Sequence, residues 1–149
     1  MTTLVLVTPE TLNEWWDRCE PRLAEATEYS GNRESAYDVY ADLGAARKAL
    51  WLAHVDGEVR AVMVTQILQY PNMRVLSIGY MTGNGRDDWL SHLWRIEEQA
   101  RHWGCRKIEG WMRPGWQKAL RASGQEGWRQ THIMMERDLW VEAAAVQPQ

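Results

Sequence analysis

Phenylalanine is absent from this sequence, cysteine occurs only twice, and no long run of apolar residues is present. Cys19 and Cys105 are too few for a disulfide framework or a zinc site, so we expect two reduced thiols in an intracellular protein that binds no metal. The apolar runs fall short of the roughly 18 residues that a membrane-spanning helix needs. The first residues also lack the pattern of a secretion signal. We therefore expect no contact with a membrane.

The sequence also lacks the positive charge that binds nucleic acids. Its net charge is −3, and fourteen arginines and three lysines are scattered singly along the chain, without the basic patch of a nucleic-acid-binding protein. Arginine and the ten tryptophans would be able to stack on single-stranded bases, but most of the tryptophans fall at core-facing spacing. We expect no nucleic-acid partner and one globular domain with its own core.

The first half of the chain predicts a strand, two helices and a hairpin. Thr8, followed by a proline, is a typical helix start, and Pro21 is expected to kink or restart that helix. The S-x-x-D pattern at residues 35–38 predicts a capping arrangement for a second helix. From residue 50 the apolar period changes to two, and Asp-Gly at residues 56–57 is a strong hairpin signal between two strands.

The second half alternates between strands and helices. The predicted elements after the hairpin are a strand, a helix, a strand, a helix and a last long strand, over residues 73–82, 87–104, 105–112, 113–124 and 128–140. The whole order is strand, two helices, three strands, helix, strand, helix, strand. This predicts one domain over residues 1–140 and a free tail over residues 141–149.

This order of elements, together with the stretch ARHWGCRKIEGWMRPGWQKALRASG at residues 100–124, resembles the GCN5-related N-acetyltransferase (GNAT) family. The likeness is greatest to small GNAT-like proteins of tailed phages and prophages. The residues that carry it are Asp88-Trp89, Ala100, Gly104-Cys105 and Arg113-Pro114-Gly115-Trp116. The resemblance implies an α/β (α+β) fold with a mixed, mostly antiparallel central sheet flanked by helices.

The resemblance also locates a phosphate-binding turn. In active members the turn after the fourth strand reads Q/R-x-x-G-x-G/A, and its main-chain N–H groups hold the pyrophosphate of acetyl-CoA at a helix N-terminus. Alignment on Gly104 puts this motif on residues 84–89, where the two glycines become Asp87 and Trp89. A carboxylate there interacts with the helix N-terminus itself and repels phosphate, and an indole adds bulk. We therefore expect a degenerate site that holds no cofactor.

A displaced alignment keeps a working site open. A shift of two to four residues would bring glycines of residues 83–85 to the phosphates, and Arg86 would offset part of the carboxylate repulsion. Under this alternative the cofactor is acetyl-CoA, and the residues that bind it are Met81, Thr82, Gly83, Gly85 and Arg86.

The catalytic groups of the family are equally incomplete. Active members often place a tyrosine, as general acid, four residues before the glycine that ends the last helix, and here that position is Leu120. For a general base, the candidates are Glu109 on the strand after the long helix and His132 on the last strand. Glu109 is also a typical solvated strand residue, and His132 a typical edge or core histidine.

Two functions of different classes follow. The first is a phage-derived, non-catalytic assembly component of a virion, which contacts phage structural proteins or further copies of itself, because tryptophan and arginine are enriched at the centres of interfaces. The expected interface residues are Trp15, Trp51, Trp116, Trp128 and Trp140. The alternative is an N-acyltransferase that uses acetyl-CoA on a host protein or a small amine. The first places the protein in a virion, and the second in the host cytoplasm.

Overall fold

The structure is a computed structural model that describes residues 1–83 and 89–140. Its described residues form five strands and four α-helices, in nearly the predicted order. Their bounds are β1 Thr3–Val7, α1 Leu12–Tyr29, α2 Ala36–Gly44, β2 Ala49–Val55, β3 Glu58–Gln69, β4 Arg74–Gly83, α3 Trp94–His102, β5 Lys107–Gly110 and α4 Trp116–Ala122. A short 3-10 helix, Leu90–His92, precedes α3.

The strands form one sheet in the order β1-β2-β3-β4-β5. The pairs β1–β2, β2–β3 and β3–β4 are antiparallel, and the pair β4–β5 is parallel. Side chains of successive strand residues point to opposite faces: Leu50 and Leu52 pack with α1 and α2, whereas Trp51 and Ala53 pack with α3 and α4. Helices therefore cover both faces, and the predicted mixed, mostly antiparallel sheet flanked by helices is confirmed.

Two local signals act as predicted. Asp56 and Gly57 both have positive φ, 49° and 84°, which is the type I′ geometry of a two-residue hairpin. At the start of α2, the Asp38 N–H donates to Ser35 Oγ at 3.2 Å and the Ser35 N–H donates to Asp38 Oδ2 at 2.9 Å. This is a complete capping box.

Helix α1 differs from its prediction at two points. It begins at Leu12 and not beside Thr8, because Thr8 and Thr11 form a separate turn in which the Thr11 N–H donates to the Thr8 carbonyl at 3.0 Å. It also continues through Pro21 without a break. Cys19 and Leu23, on either side of the proline, are fully buried against the sheet, and this packing holds the helix where propensity alone would end it.

Within the described residues 89–104, the predicted long helix is interrupted by the 3-10 turn, which precedes α3. Its end is as expected: Gly104 has φ 81°, the Gly104 N–H donates to the Arg101 carbonyl, and the Cys105 N–H donates to the Ala100 carbonyl. This pair of bonds is the Schellman motif. Apolar residues at helical spacing form a stripe along this segment. Its buried members are Trp89, Leu90, Leu93, Ile96 and Ala100, and Trp103 at its end is half-buried.

The predicted last strand is wrong. Residues 128–140 form no strand within the described part of the chain, and nearly all of them are exposed. An alternating sequence becomes a strand only where a neighbouring strand accepts its main-chain hydrogen bonds, and no described strand pairs with this segment. The predicted tail, residues 141–149, lies outside the described residues. Among the residues described, no helix has both the length and the hydropathy to cross a membrane.

Candidate functional site

Strand β4 separates from β5 halfway along its length. The two strands pair from Val75 with Lys107 to Ile78 with Gly110, and β4 then continues to Gly83 while β5 ends. Over this second half, no described strand pairs with the side of β4 that faced β5. An interior strand therefore presents main-chain N–H and C=O groups to a ligand instead of to a neighbour.

The separation begins at a β-bulge. In the register between β3 and β4, Val64 pairs with Tyr80 and Thr65 with Ile78, so that Gly79 has no partner on β3. Gly79 also lies one residue beyond the last pair with β5. It is exposed, although its neighbours Ile78 and Tyr80 are buried. Bulges redirect main-chain groups and side chains next to functional sites, and this one lies where the cleft opens.

The opening forms a cleft of about 360 Å³ between the end of β4 and the segment that leads into α4. It is lined by Thr82, Gly83, Arg113, Pro114 and Trp116. Gly115, at the N-terminus of α4, has φ 103°, which favours glycine. Three of the four residues of the RPGW motif, which carries part of the family resemblance, therefore line the cleft.

Arg113 is the cation of the cleft. Its guanidinium lies 4.6 Å from the centre of the Tyr29 ring, at the end of α1. An arginine over an aromatic ring keeps its charge and its N–H donors free for an anion. Sequence reasoning missed Arg113 because only the folded chain brings α1 beside the end of β5.

A buried polar network connects the α1–α2 loop to β4. The Tyr80 hydroxyl donates to Glu34 Oε2 at 2.7 Å, and Lys48 Nζ lies 3.0 Å from Glu34 Oε1 and 3.2 Å from Asp42 Oδ2. The pKa of Tyr80 is raised to about 12, mainly because its phenol is buried and to a smaller extent because it donates a hydrogen bond to Glu34. The network therefore attaches the α1–α2 loop to Tyr80, the residue that follows the bulge at Gly79.

Two of the five predicted cofactor residues, Thr82 and Gly83, line the cleft. Met81 packs instead against the core face that α3 and α4 cover. A Cβ on Gly83 would lie 2.5 Å from Ala61 Cβ and 2.8 Å from the Arg60 carbonyl oxygen, so that close contact with β3 requires glycine there. Two further predicted residues, Gly85 and Arg86, lie outside the described residues, as do Asp87 and Asp88.

Trp89 does not lie where the sequence placed it. Its side chain is fully buried in the core under the cleft, with its ring centre 6.0 Å from that of Trp116. The indole therefore fills the core and not the mouth of the helix. Its Nε1–H has no hydrogen-bond partner among the described residues.

Neither candidate base is a lining residue of the cleft. Glu109 is exposed on β5, in register with Ser77. His132 is exposed in the segment after α4, with Nδ1 2.9 Å from Thr131 Oγ1. Leu120, at the position of the family's general acid, is buried in the core. Within residues 1–83 and 89–140, no group of three His, Cys, Asp or Glu side chains could hold a metal ion.

The five tryptophans predicted at an interface lie in different environments. Trp51 and Trp116 are buried in the core, with Trp51 Nε1 donating to Thr65 Oγ1 at 3.1 Å, so they offer almost no surface to a partner. Trp15 and Trp128 are half-buried, and Trp140 is exposed. Contact of these three with another chain stays a prediction.

The fold is that of known acetyltransferases. No family model matches the sequence, and no curated protein matches it. Among solved structures, a probable acetyltransferase superposes with a TM-score of 0.68 at 15% identity, over 93% of this chain and 97% of the other. An aminoglycoside acetyltransferase from an uncultured soil metagenomic sample, in complex with sisomicin, gives 0.68 at 10% identity over the same shares. A predicted acetyltransferase with acetyl-CoA from Clostridium acetobutylicum gives 0.63 at 13% identity, also over 93% and 97%.

These comparisons correct the predicted function. The expectation of a non-catalytic virion component is wrong, because the similar structures are acetyltransferases and none of them supports a role in a phage particle. The lean towards a protein that is not an enzyme, without a cofactor, has no support either. The chain has the GNAT fold.

Proposed function

We propose that this protein is an N-acetyltransferase that transfers the acetyl group of acetyl-CoA to a primary amine. The observation that carries the proposal is the separation of β4 from β5, which leaves residues 79–83 of β4 without a partner strand on that side and places Thr82 and Gly83 in a cleft that Arg113 also lines. Several solved structures of the same fold are acetyltransferases, and a predicted acetyltransferase of this fold was solved with acetyl-CoA.

The residues of the cleft fit the pantetheine arm of acetyl-CoA. That arm is a chain of amides, and the free side of β4 offers alternating donors and acceptors, as it would to a missing strand. Thr82 adds a hydroxyl, and Arg113 adds a cation suited to phosphate. When bound, acetyl-CoA supplies an activated thioester.

This chain's own contribution is positioning and electrostatic stabilisation. An exposed, unpaired main chain at Gly79 is suited to stabilise negative charge on an acyl oxygen, and the cleft holds the reacting groups close together. Because the lining residues that the structure describes include no carboxylate or imidazole, we expect the amine to lose its proton to solvent before it reacts. We therefore expect kcat/KM to rise with pH until the amine is fully deprotonated.

The acceptor reaches the cleft from the side of α1 and α2. A groove of about 980 Å³ lies between the second half of α1 and the start of α2, and Glu28 and Glu34 border it near Tyr29, whose ring lies under Arg113. The carboxylates that line this groove are Glu20, Glu25, Glu28, Glu34 and Asp38. Negative charge on the approach attracts a protonated amine in preference to an acid or a neutral alcohol. The amine then loses its proton to water before it attacks the thioester.

Calorimetric titration with acetyl-CoA tests the cofactor, and a panel of primary amines, assayed by release of free CoA, tests the reaction. We expect micromolar binding, weakened about 10- to 100-fold in Arg113→Ala by the loss of a charge-assisted contact. Arg101→Ala is the matched control, because Arg101 is an exposed arginine in the last turn of α3. No heat at millimolar acetyl-CoA contradicts cofactor binding. Binding without turnover of any amine contradicts the enzymatic role.

A further inference from the structure

Arg60 lies at a second β-bulge, near the start of β3. In the register between β2 and β3, the partner of Ala53 is Ala61 but the partner of His54 is Val59, so that Arg60 has no partner on β2. Val59 packs on the face that α1 and α2 cover, whereas Ala61 packs on the opposite face. Regular alternation would place both on one face. A bulge of this kind redirects the side chain of the extra residue.

The main chain of Arg60 lies against the strand that forms the cleft. Gly83, which lines the cleft, pairs with Ala61, and a Cβ built on Gly83 would lie 2.8 Å from the Arg60 carbonyl oxygen. Directly before Arg60, the Val59 carbonyl accepts a hydrogen bond from Arg22 Nη2 of α1 at 3.2 Å. The main chain at Arg60 is therefore held between α1 and the end of β4.

The side chain of Arg60 has donors that lack acceptors. Its Nε–H is buried and has no hydrogen-bond partner among the described residues, although most buried donors in folded proteins have one. Its Nη2 lies 3.9 Å from Glu58 Oε2, beyond hydrogen-bond range. Arg22 and Arg74, by contrast, donate to main-chain carbonyls at 3.2 and 2.8 Å. The Arg60 side chain is 39% exposed, so part of it is open to an anionic ligand, which a guanidinium is well suited to bind.

We propose that Arg60 binds the diphosphate of acetyl-CoA. This inference rests on the proposed function, in which the thioester lies at Gly79 and the pantetheine arm follows the free side of β4. The arm then runs towards Gly83, and the diphosphate at its far end comes close to Arg60. Because Arg60 belongs to β3 and Arg113 follows β5, the two cations lie on opposite sides of β4 and can bind the phosphates of one ligand together.

Calorimetric titration of Arg60→Gln with acetyl-CoA tests the contact. We expect Kd to rise about 10- to 100-fold through the loss of a charge-assisted hydrogen bond, and Kd to depend less steeply on salt than in the wild type. Arg60→Lys keeps the charge and should recover part of the affinity. The matched control is Arg101→Gln, at an exposed arginine in the last turn of α3, which should bind acetyl-CoA as the wild type does. Circular dichroism verifies that all three variants fold.

Shortened ligands separate the diphosphate from the rest of the cofactor. Acetyl-dephospho-CoA lacks only the 3′-phosphate, whereas S-acetylpantetheine lacks the diphosphate as well. Arg60→Gln should weaken binding of acetyl-dephospho-CoA by the same factor as binding of acetyl-CoA, and should leave the affinity for S-acetylpantetheine unchanged. Unchanged affinity for acetyl-CoA overturns the inference alone, as does a loss confined to acetyl-CoA or a loss shared by S-acetylpantetheine. A wild type that binds no acetyl-CoA overturns the proposed function, and the inference with it.

Discussion

Gly83 offers a direct test of the geometry that opens the cleft. In Gly83→Ala the new Cβ meets Ala61 Cβ at 2.5 Å, Ala61 Cα at 2.7 Å and the Arg60 carbonyl oxygen at 2.8 Å. Two of these atoms belong to the main chain of β3, which cannot move as a flexible side chain does. Overpacking of this kind costs about 1–3 kcal/mol, which lowers Tm by roughly 3–10 °C in a domain of this size.

Gly79→Ala is the matched control on the same strand. Its Cβ would have only the Val64 carbonyl oxygen nearby, at 3.8 Å, an ordinary contact, and the loss of unfolded-state freedom favours the variant slightly. Urea unfolding, followed by tryptophan fluorescence, measures both. We expect Gly83→Ala to be less stable than Gly79→Ala by at least about 1 kcal/mol and to bind acetyl-CoA more weakly, because β4 must shift at the cleft. Equal stability of the two variants would refute the claimed contact with β3.

Three further outcomes follow from the titrating groups. Burial raises the pKa of Tyr80 to about 12, so the stability that its neutral hydroxyl contributes is complete below pH 10 and is lost as pH rises towards 12. In urea unfolding over that window, the wild type should lose about 1–3 kcal/mol more stability than Tyr80→Phe. Lys48→Met leaves Glu34 and Asp42 without their shared cation, and should lower the free energy of unfolding by about 1–3 kcal/mol at pH 7. Because hydrogen bonds from Arg47 and Lys48 lower the pKa of Asp42, this loss of stability should shrink as pH falls and that carboxylate is protonated. A loss of stability independent of pH would contradict the pairing. Burial raises the pKa of Cys19 to about 11 and its side chain is inaccessible, so iodoacetamide should label the half-exposed Cys105 first in the native protein, and both thiols alike in denaturant.

The fold was accessible from the sequence because its determinants are local. The Asp56-Gly57 turn and the capping box at Ser35 are set by neighbouring residues, and the apolar stripe up to Ala100 follows helical periodicity. The errors arose where tertiary packing overrides local preference. Packing carries α1 past Pro21, and residues 128–140 form no strand because no described strand pairs with them.

The cleft was less accessible, because it depends on where two strands part. Nothing in the local pattern of residues 74–83 says that β5 stops at Gly110 while β4 continues. One signal was present: Arg113 and Pro114 directly follow a strand that the fold places parallel to its neighbour, and ligands often bind beyond the carboxyl ends of such strands. The RPGW motif entered the prediction only as a mark of the family resemblance.

The case of Trp89 shows why a replaced glycine does not by itself close a phosphate site. Alignment identifies the residue that stands at a position, but the direction of its Cβ decides what its side chain obstructs. Trp89 begins the buried stripe that includes Leu93 and Ile96, so helical periodicity directs its indole into the core. The steric argument against acetyl-CoA therefore fails, and the case for closure rests on charge alone. Charge lowers affinity by an amount that salt screens, whereas bulk would have excluded the ligand outright.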